Sequence, residues 1–256
     1  MKKLLLAVVL IFSLVGLQSA NASTSNVSSP GISAGNGSVE LRASIVAQDD
    51  DNSKNREIKS RAHFDYGITD YYGIRLITNQ VRAANDNNEW ESFRVENKFQ
   101  LFENKIDGFD GGFRLTYDYS DNDKGSDFAE FRGLFRDYFG EQDRYEFRNN
   151  LLIRHEVGAE SESGIKPELR WQITRQVNDY EIKKKEAFTI LKAGIEMFNS
   201  FGNVRTTHGY NEQDHSIGPV IKGNLTKETY FQLRGLFGIS EAENDFSTAF
   251  YIGWKF

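Results

Sequence analysis

The chain contains no cysteine and three prolines in 256 residues. No disulfide can brace it and no cysteine-based metal site can form. An exported protein of this kind must hold together by packing or by a closed hydrogen-bond network. Beyond Leu17 the sequence has no apolar run approaching the ~20 residues a membrane-spanning helix needs. The net charge of −6 and the lack of an exposed basic patch exclude nucleic acid as a partner. No phosphate-cradling glycine loop is present. No cofactor and no metal are expected.

The first 22 residues have the layout of a cleaved secretory signal. Lys2 and Lys3 are followed by an apolar stretch from Leu4 to Leu17, then by the small-x-small triplet Ala20-Asn21-Ala22. The apolar stretch is short for an anchor. Residues 23–37, rich in Ser, Asn and Gly, have little to bury and read as a flexible periplasmic lead-in.

From residue 38 to 256 the pattern has period two. In 39–47, Val39, Leu41, Ala43 and Ile45 share one face, while Glu40, Arg42 and Ser44 share the other. The same alternation recurs in 61–69, 71–79, 90–101, 112–120, 128–139, 144–156, 165–176, 188–198, 216–224, 229–240 and 246–256. That predicts an all-β antiparallel transmembrane barrel of about 12 strands, each near the ~9–11 residues a tilted strand needs, with ten or fourteen as alternatives. Short periplasmic turns alternate with longer outer loops. The exception is "VNDYEIKKKE", which stands where a short turn belongs. A mean hydropathy of −0.55 and 27% charged residues fit such a barrel, because only alternate residues meet lipid. Aromatics at 13%, with 20 Phe, would supply interfacial girdles through Tyr66, Tyr72, Phe135, Tyr145, Trp171 and Trp254.

These features resemble the Gram-negative outer-membrane β-barrel proteins. The resemblance rests on the export signal, the alternating strands and the last strand, where Phe250, Ile252, Trp254 and Phe256 match the aromatic-ended signal read by the barrel assembly machinery. It implies an outer-membrane location, contact with outer-membrane lipid and lipopolysaccharide, and a monomer. Size and strand number also resemble the small twelve-stranded porins specific for acidic oligosaccharides, which carry inward arginine tracks.

Alternation alone places about twice as many basic as acidic residues on the inward face. Arg42, Arg75, Arg94, Arg114, Arg132, Arg148, Arg170 and Arg234 are the candidate pore-lining residues. Rings of Arg and Lys favour anions in a pore. The leading expectation is passive diffusion of small anionic solutes. Several strands carry both signs two residues apart, as in Glu130/Arg132 and Glu168/Arg170, so cross-strand pairs filling a closed structural or adhesion barrel remain the alternative. A lipid hydrolase is third. His215 and Ser216 are adjacent and therefore face opposite ways on a strand, so no enzyme is expected. The acidic stretch 121–127 is a candidate calcium loop, or an ordinary hairpin loop. His155, beside Glu156 and a loop, reads as a solvated rim residue.

Overall fold

A computed structural model describes residues 24–47, 56–82, 87–103, 109–121, 126–158, 161, 164–177, 188–206, 209–241 and 246–256. Twelve strands run in chain order: β1 (Gly37–Ala47), β2 (Arg56–Gly67), β3 (Tyr72–Arg82), β4 (Glu89–Glu103), β5 (Asp110–Ser120), β6 (Asp127–Phe139), β7 (Tyr145–Val157), β8 (Ile165–Gln176), β9 (Thr189–Ser200), β10 (Asp214–Asn224), β11 (Thr229–Gly238) and β12 (Phe246–Lys255). Each pairs antiparallel with its sequence neighbours, and β1 pairs with β12, so the sheet is a closed barrel. Closure satisfies every strand edge, which a hydrocarbon environment demands.

The seam explains the alternating final strand. Leu41 lies opposite Ile252 and Val39 opposite Trp254. The Gly37 N–H donates to the Phe256 carbonyl at 3.0 Å, and the Phe256 N–H donates to the Gly37 carbonyl at 3.1 Å. The Phe256 ring lies over Gly37, so a Cβ at this position would push the ring aside.

Both ends of the barrel sheet, Gly37 and Lys255, lie at one mouth, called here the terminal end. Its connectors are 68–71, 104–109, 140–144, 177–188 and 225–228, and all but 177–188 have six residues or fewer. The far-end connectors run from six residues to the thirteen of 201–213. The irregular stretch after Val177 is thus a terminal-end connector, mostly outside the described residues. The strand count is twelve because β8 and β9 still pair directly across it, Trp171 opposite Met197.

The outer wall is apolar and aromatic. Tyr72, Phe99, Phe113 and Phe131 form a row with centroids 5.2, 4.8 and 5.9 Å apart. Phe102, Phe109, Phe135 and Phe147 form a second row at 5.1, 4.5 and 6.1 Å. Leu41 is 55% exposed on this wall, in the middle of β1. Leu41→Arg is expected to lower folding stability in lipid vesicles by about 2–4 kcal/mol, the cost of a charge near the bilayer midplane. Urea titration of vesicle-inserted protein reads this out, and an unchanged midpoint would place Leu41 away from lipid.

Candidate functional site: an occupied lumen with two unlike cavities

Residues 24–36 differ from the flexible lead-in that their composition suggests. They run inside the barrel. Thr24, Ser25, Val27 and Ser28 are all buried, Val27 completely. Val27 packs with the inward Phe198 and Leu236 as a small apolar cluster in an otherwise polar lumen. Burying a valine side chain contributes about 1.5–3 kcal/mol. The segment's backbone groups are met by the wall. Arg42 Nη1 donates to the Thr24 carbonyl at 2.8 Å and the Tyr251 hydroxyl donates to the Ser25 carbonyl at 2.6 Å. Asn150 both accepts from the Ser28 N–H at 2.7 Å and donates to its carbonyl at 3.0 Å. Lys98 donates to the Gly31 carbonyl at 2.6 Å, and the Ile32 N–H donates to Gln100 at 2.7 Å. The segment leaves at the terminal end past Gly67, where a Cβ would sit 2.1 Å from the Ser33 carbonyl oxygen. An extended chain keeps its backbone groups unpaired unless a wall supplies partners, and here the wall does so.

The inward charges form a belt of ion pairs around the lumen. Glu40 accepts from Arg42 at 2.5 Å. Arg75 pairs with Asp65 at 2.5 Å and reaches Glu96 at 3.4 Å; Arg114 pairs with Glu96 at 2.7 Å. Arg94 donates through Nε to Asp118 at 2.9 Å. Glu130 takes Arg132 at 2.6 Å and Arg154 at 2.7 Å, and Arg154 also holds Glu168 at 2.8 Å. Arg170 pairs with Glu168, and Arg234 with Glu196 at 3.2 Å. Most of these side chains are buried. Such pairs offset their own desolvation, but losing one partner strands a buried charge. Glu96→Ala is therefore expected to cost about 3–5 kcal/mol, because it leaves the buried Arg114 without its carboxylate. Glu57→Ala breaks a half-buried pair with Lys59 and should cost less than about 1 kcal/mol. Equal urea midpoints for the two variants would contradict the belt's role.

Two cavities flank the belt. The one at the terminal end has a volume of about 780 Å³. Its charged lining is Arg42, Arg75, Lys98, Arg114, Arg148, Lys192, Lys222 and Lys255 against Glu40 and Asp65, eight basic groups to two acidic. The far-end cavity, about 520 Å³, is balanced: Lys59, Arg61, Arg94, Arg154 and Arg170 against Glu91, Asp118, Glu156, Glu168 and Asp214, five to five. The basic excess of the inward face is thus concentrated at one mouth.

The eight arginines expected to line a pore divide accordingly. Arg42, Arg75, Arg114 and Arg148 border the basic cavity, and Arg94 and Arg170 border the balanced one. Arg132 and Arg234 border neither and are buried in the belt. Alternation assigned the face of all eight but carries no information about height or pairing. It also left residues 24–36 unassigned to the lumen. The available signal was Val27 and Ile32, two branched apolar residues in a run of Ser, Asn and Gly.

The other candidates separate cleanly. Ser216 borders the balanced cavity, while His215 donates through Nδ1 to Asn199 Oδ1 at 3.0 Å and stacks on Tyr210 at 4.6 Å. The two share no hydrogen bond. His155 Nδ1 contacts the Gly164 carbonyl at 2.9 Å. Most of the acidic stretch 121–127 lies outside the described residues. Among the described residues no group of three or more His, Asp and Glu could hold a metal ion.

Comparison of the sequence with family models and with curated proteins finds no match. Comparison of the fold does. An outer-membrane channel from Pseudomonas putida F1 superposes with a TM-score of 0.54 at 10% identity, covering 92% of this chain and 100% of that one. The β-domain of the Bordetella autotransporter BrkA gives 0.50 at 10% identity, covering 86% and 98%. The fold is that of outer-membrane β-barrels.

Proposed function

We propose that the protein is an outer-membrane channel for small anionic solutes, exported with cleavage after Ala22 and held shut in the present state by residues 24–36. The terminal end faces the periplasm, and the long connectors face outward. The observation that carries this reading is the eight-to-two charge ratio of the 780 Å³ cavity beside a balanced partner cavity. A basic vestibule walled by low-dielectric protein raises the local anion concentration. Arginine and lysine there act on charge alone, so the reading assigns no catalytic step.

The reversal potential in a planar bilayer under a KCl gradient tests it. A conductance favouring chloride is expected once the lumen is open, and a conductance favouring potassium would overturn the proposal. The second reading, a closed barrel whose outer loops contact lipopolysaccharide or another surface, draws on a different observation, the buried belt. That reading predicts no conductance even without residues 24–36.

A further inference from the structure

The basic excess of the terminal-end cavity is unevenly spread. On one wall each arginine has its own carboxylate: Arg42 has Glu40, Arg75 has Asp65 and Arg114 has Glu96. Across the lumen, on β7, β9 and β10, three cations share one. Arg148 and Lys192 both pair with Glu146, while Lys222 donates to the neutral Gln172 at 2.5 Å. The next carboxylate, Glu196, is already taken by Arg234 at 3.2 Å and by Gln172 Nε2 at 2.6 Å. The register brings the three cations together. Lys192 lies directly opposite Lys222, and Arg148 directly opposite Gln172. Like charges facing each other across two strands destabilise a sheet. The shared carboxylate sits behind them. The Glu146 side chain is 2% exposed, whereas those of Arg148 and Lys192 are 18% and 28% exposed and, with Lys222, border the cavity. Arg148 meets Glu146 through Nε, and each lysine spends one of its three N–H groups. Nη1 and Nη2 of Arg148 and two N–H groups on each ammonium have no partner among the described residues. The Tyr138 ring, 5.6 Å from Lys192 Nζ, steadies that ammonium from the cavity wall.

We propose that Arg148, Lys192 and Lys222 form a binding site for a phosphate dianion, either the free ion or the phosphate group of a small monoester. Three positive charges against one carboxylate leave two unmatched. A phosphate monoester supplies two negative charges above its second pKa of about 6. Chloride or a single carboxylate would leave one positive charge unmet. The guanidinium fork and the two ammonium groups offer donors to several oxygens of one phosphate, and such charge-assisted hydrogen bonds are the strong ones. The 780 Å³ volume lies within the usual range for small-ligand sites, roughly 300–1,000 Å³, and leaves room for the organic part of an ester. The site deepens the anion-channel reading, on which its role in solute passage rests.

Calorimetric titration of the full chain, refolded in detergent at pH 8, tests this with inorganic phosphate, methyl phosphate and dimethyl phosphate. The first two are mainly dianions, and the third carries one charge on the same group. Binding of both dianions marks the monoester as the ligand, and binding of inorganic phosphate alone marks the free ion. Dimethyl phosphate should bind at least about tenfold more weakly than the tighter dianion, since a charge-assisted contact is lost. Lys222→Gln should weaken dianion binding by a similar factor. Lys255→Gln removes the same charge from the same cavity. Lys222 lies opposite Gln232 and Gln232 opposite Tyr251, so Lys255 is two strands across and four residues along, roughly 17 Å away by sheet spacing. In about 0.1 M salt, with a screening length of about 10 Å, its loss should change the affinity less than about threefold. Equal affinities for singly and doubly charged phosphates, equal losses in the two variants, or no heat from either dianion at millimolar concentration would overturn the proposal. The ligand comparison uses the unaltered chain, so it decides even where a variant fails to fold. A chloride-favouring conductance from a protein that binds no phosphate would overturn this site alone, whereas phosphate binding by a barrel that never conducts would overturn only the channel reading.

Discussion

Deleting residues 24–36 is expected to turn a silent barrel into a conducting one. Every strand pairing involves residues from Gly37 onward, so the ladder that holds the barrel survives the deletion. An extended chain occupies roughly 5 by 10 Å in cross-section, taking the inter-strand and face-to-face spacings of sheets as its width and thickness. Removing it leaves an opening of that order, wide enough for water and chloride. The wall groups that lose their partners, Arg42, Tyr251, Asn150, Lys98 and Gln100, then meet water. The cost of the lost hydrogen bonds is correspondingly small, about 0.5–1.5 kcal/mol each. Planar-bilayer recordings should show resolved steps from the shortened protein and none, or rare ones, from the full chain. Silence from both would mean that the Arg–carboxylate belt closes the barrel by itself, and the channel proposal would fail.

The second expectation concerns selectivity, which is separable from closure because residues 24–36 carry no charge. In the shortened protein, Lys98→Glu, Lys222→Glu and Lys255→Glu together change the vestibule from eight basic and two acidic groups to five and five. That equals the count of the far-end cavity. The chloride preference should collapse, and the reversal potential should move to near zero. These lysines are the suitable ones to change. Lys98 contacts a carbonyl of the deleted segment, Lys222 contacts Gln172, and Lys255 lies over Tyr230. Lys192, by contrast, pairs with Glu146. The effect should also fade in concentrated salt, where the screening length falls from about 10 Å at 0.1 M to about 3 Å at 1 M. An unchanged reversal potential in the triple variant would place the selectivity elsewhere.

The barrel was legible in the sequence because period two is the one regularity a lipid-facing strand cannot lose. Val39, Leu41, Phe250, Ile252 and Trp254 declare both the outer face and the seam where the sheet closes. The long connector after Val177 leaves the strand count open in the sequence, and the direct pairing of β8 with β9 fixes it at twelve. The internal segment was not legible, for a physical reason. Its polar contacts with the wall are made by backbone N–H and C=O groups with side chains far away in sequence, as between Ser28 and Asn150. Backbone hydrogen bonds of this kind leave no pattern in side-chain chemistry. The belt was half legible. Alternation turned Arg132 and Arg148 to the same interior, yet one is buried against the Glu130 carboxylate and the other borders open volume.

The central claim is that residues 24–36 occupy the lumen. The chain has no cysteine, so a single introduced thiol reports without background. Val27 is fully buried and Ala34 lies exposed near the terminal end. Maleimide labelling of Val27→Cys and Ala34→Cys, each in the refolded full-length protein, is the most direct measurement. The account predicts rapid labelling at position 34 and protection at position 27 that is lost on unfolding. Equally rapid labelling at both positions in the folded protein would contradict it.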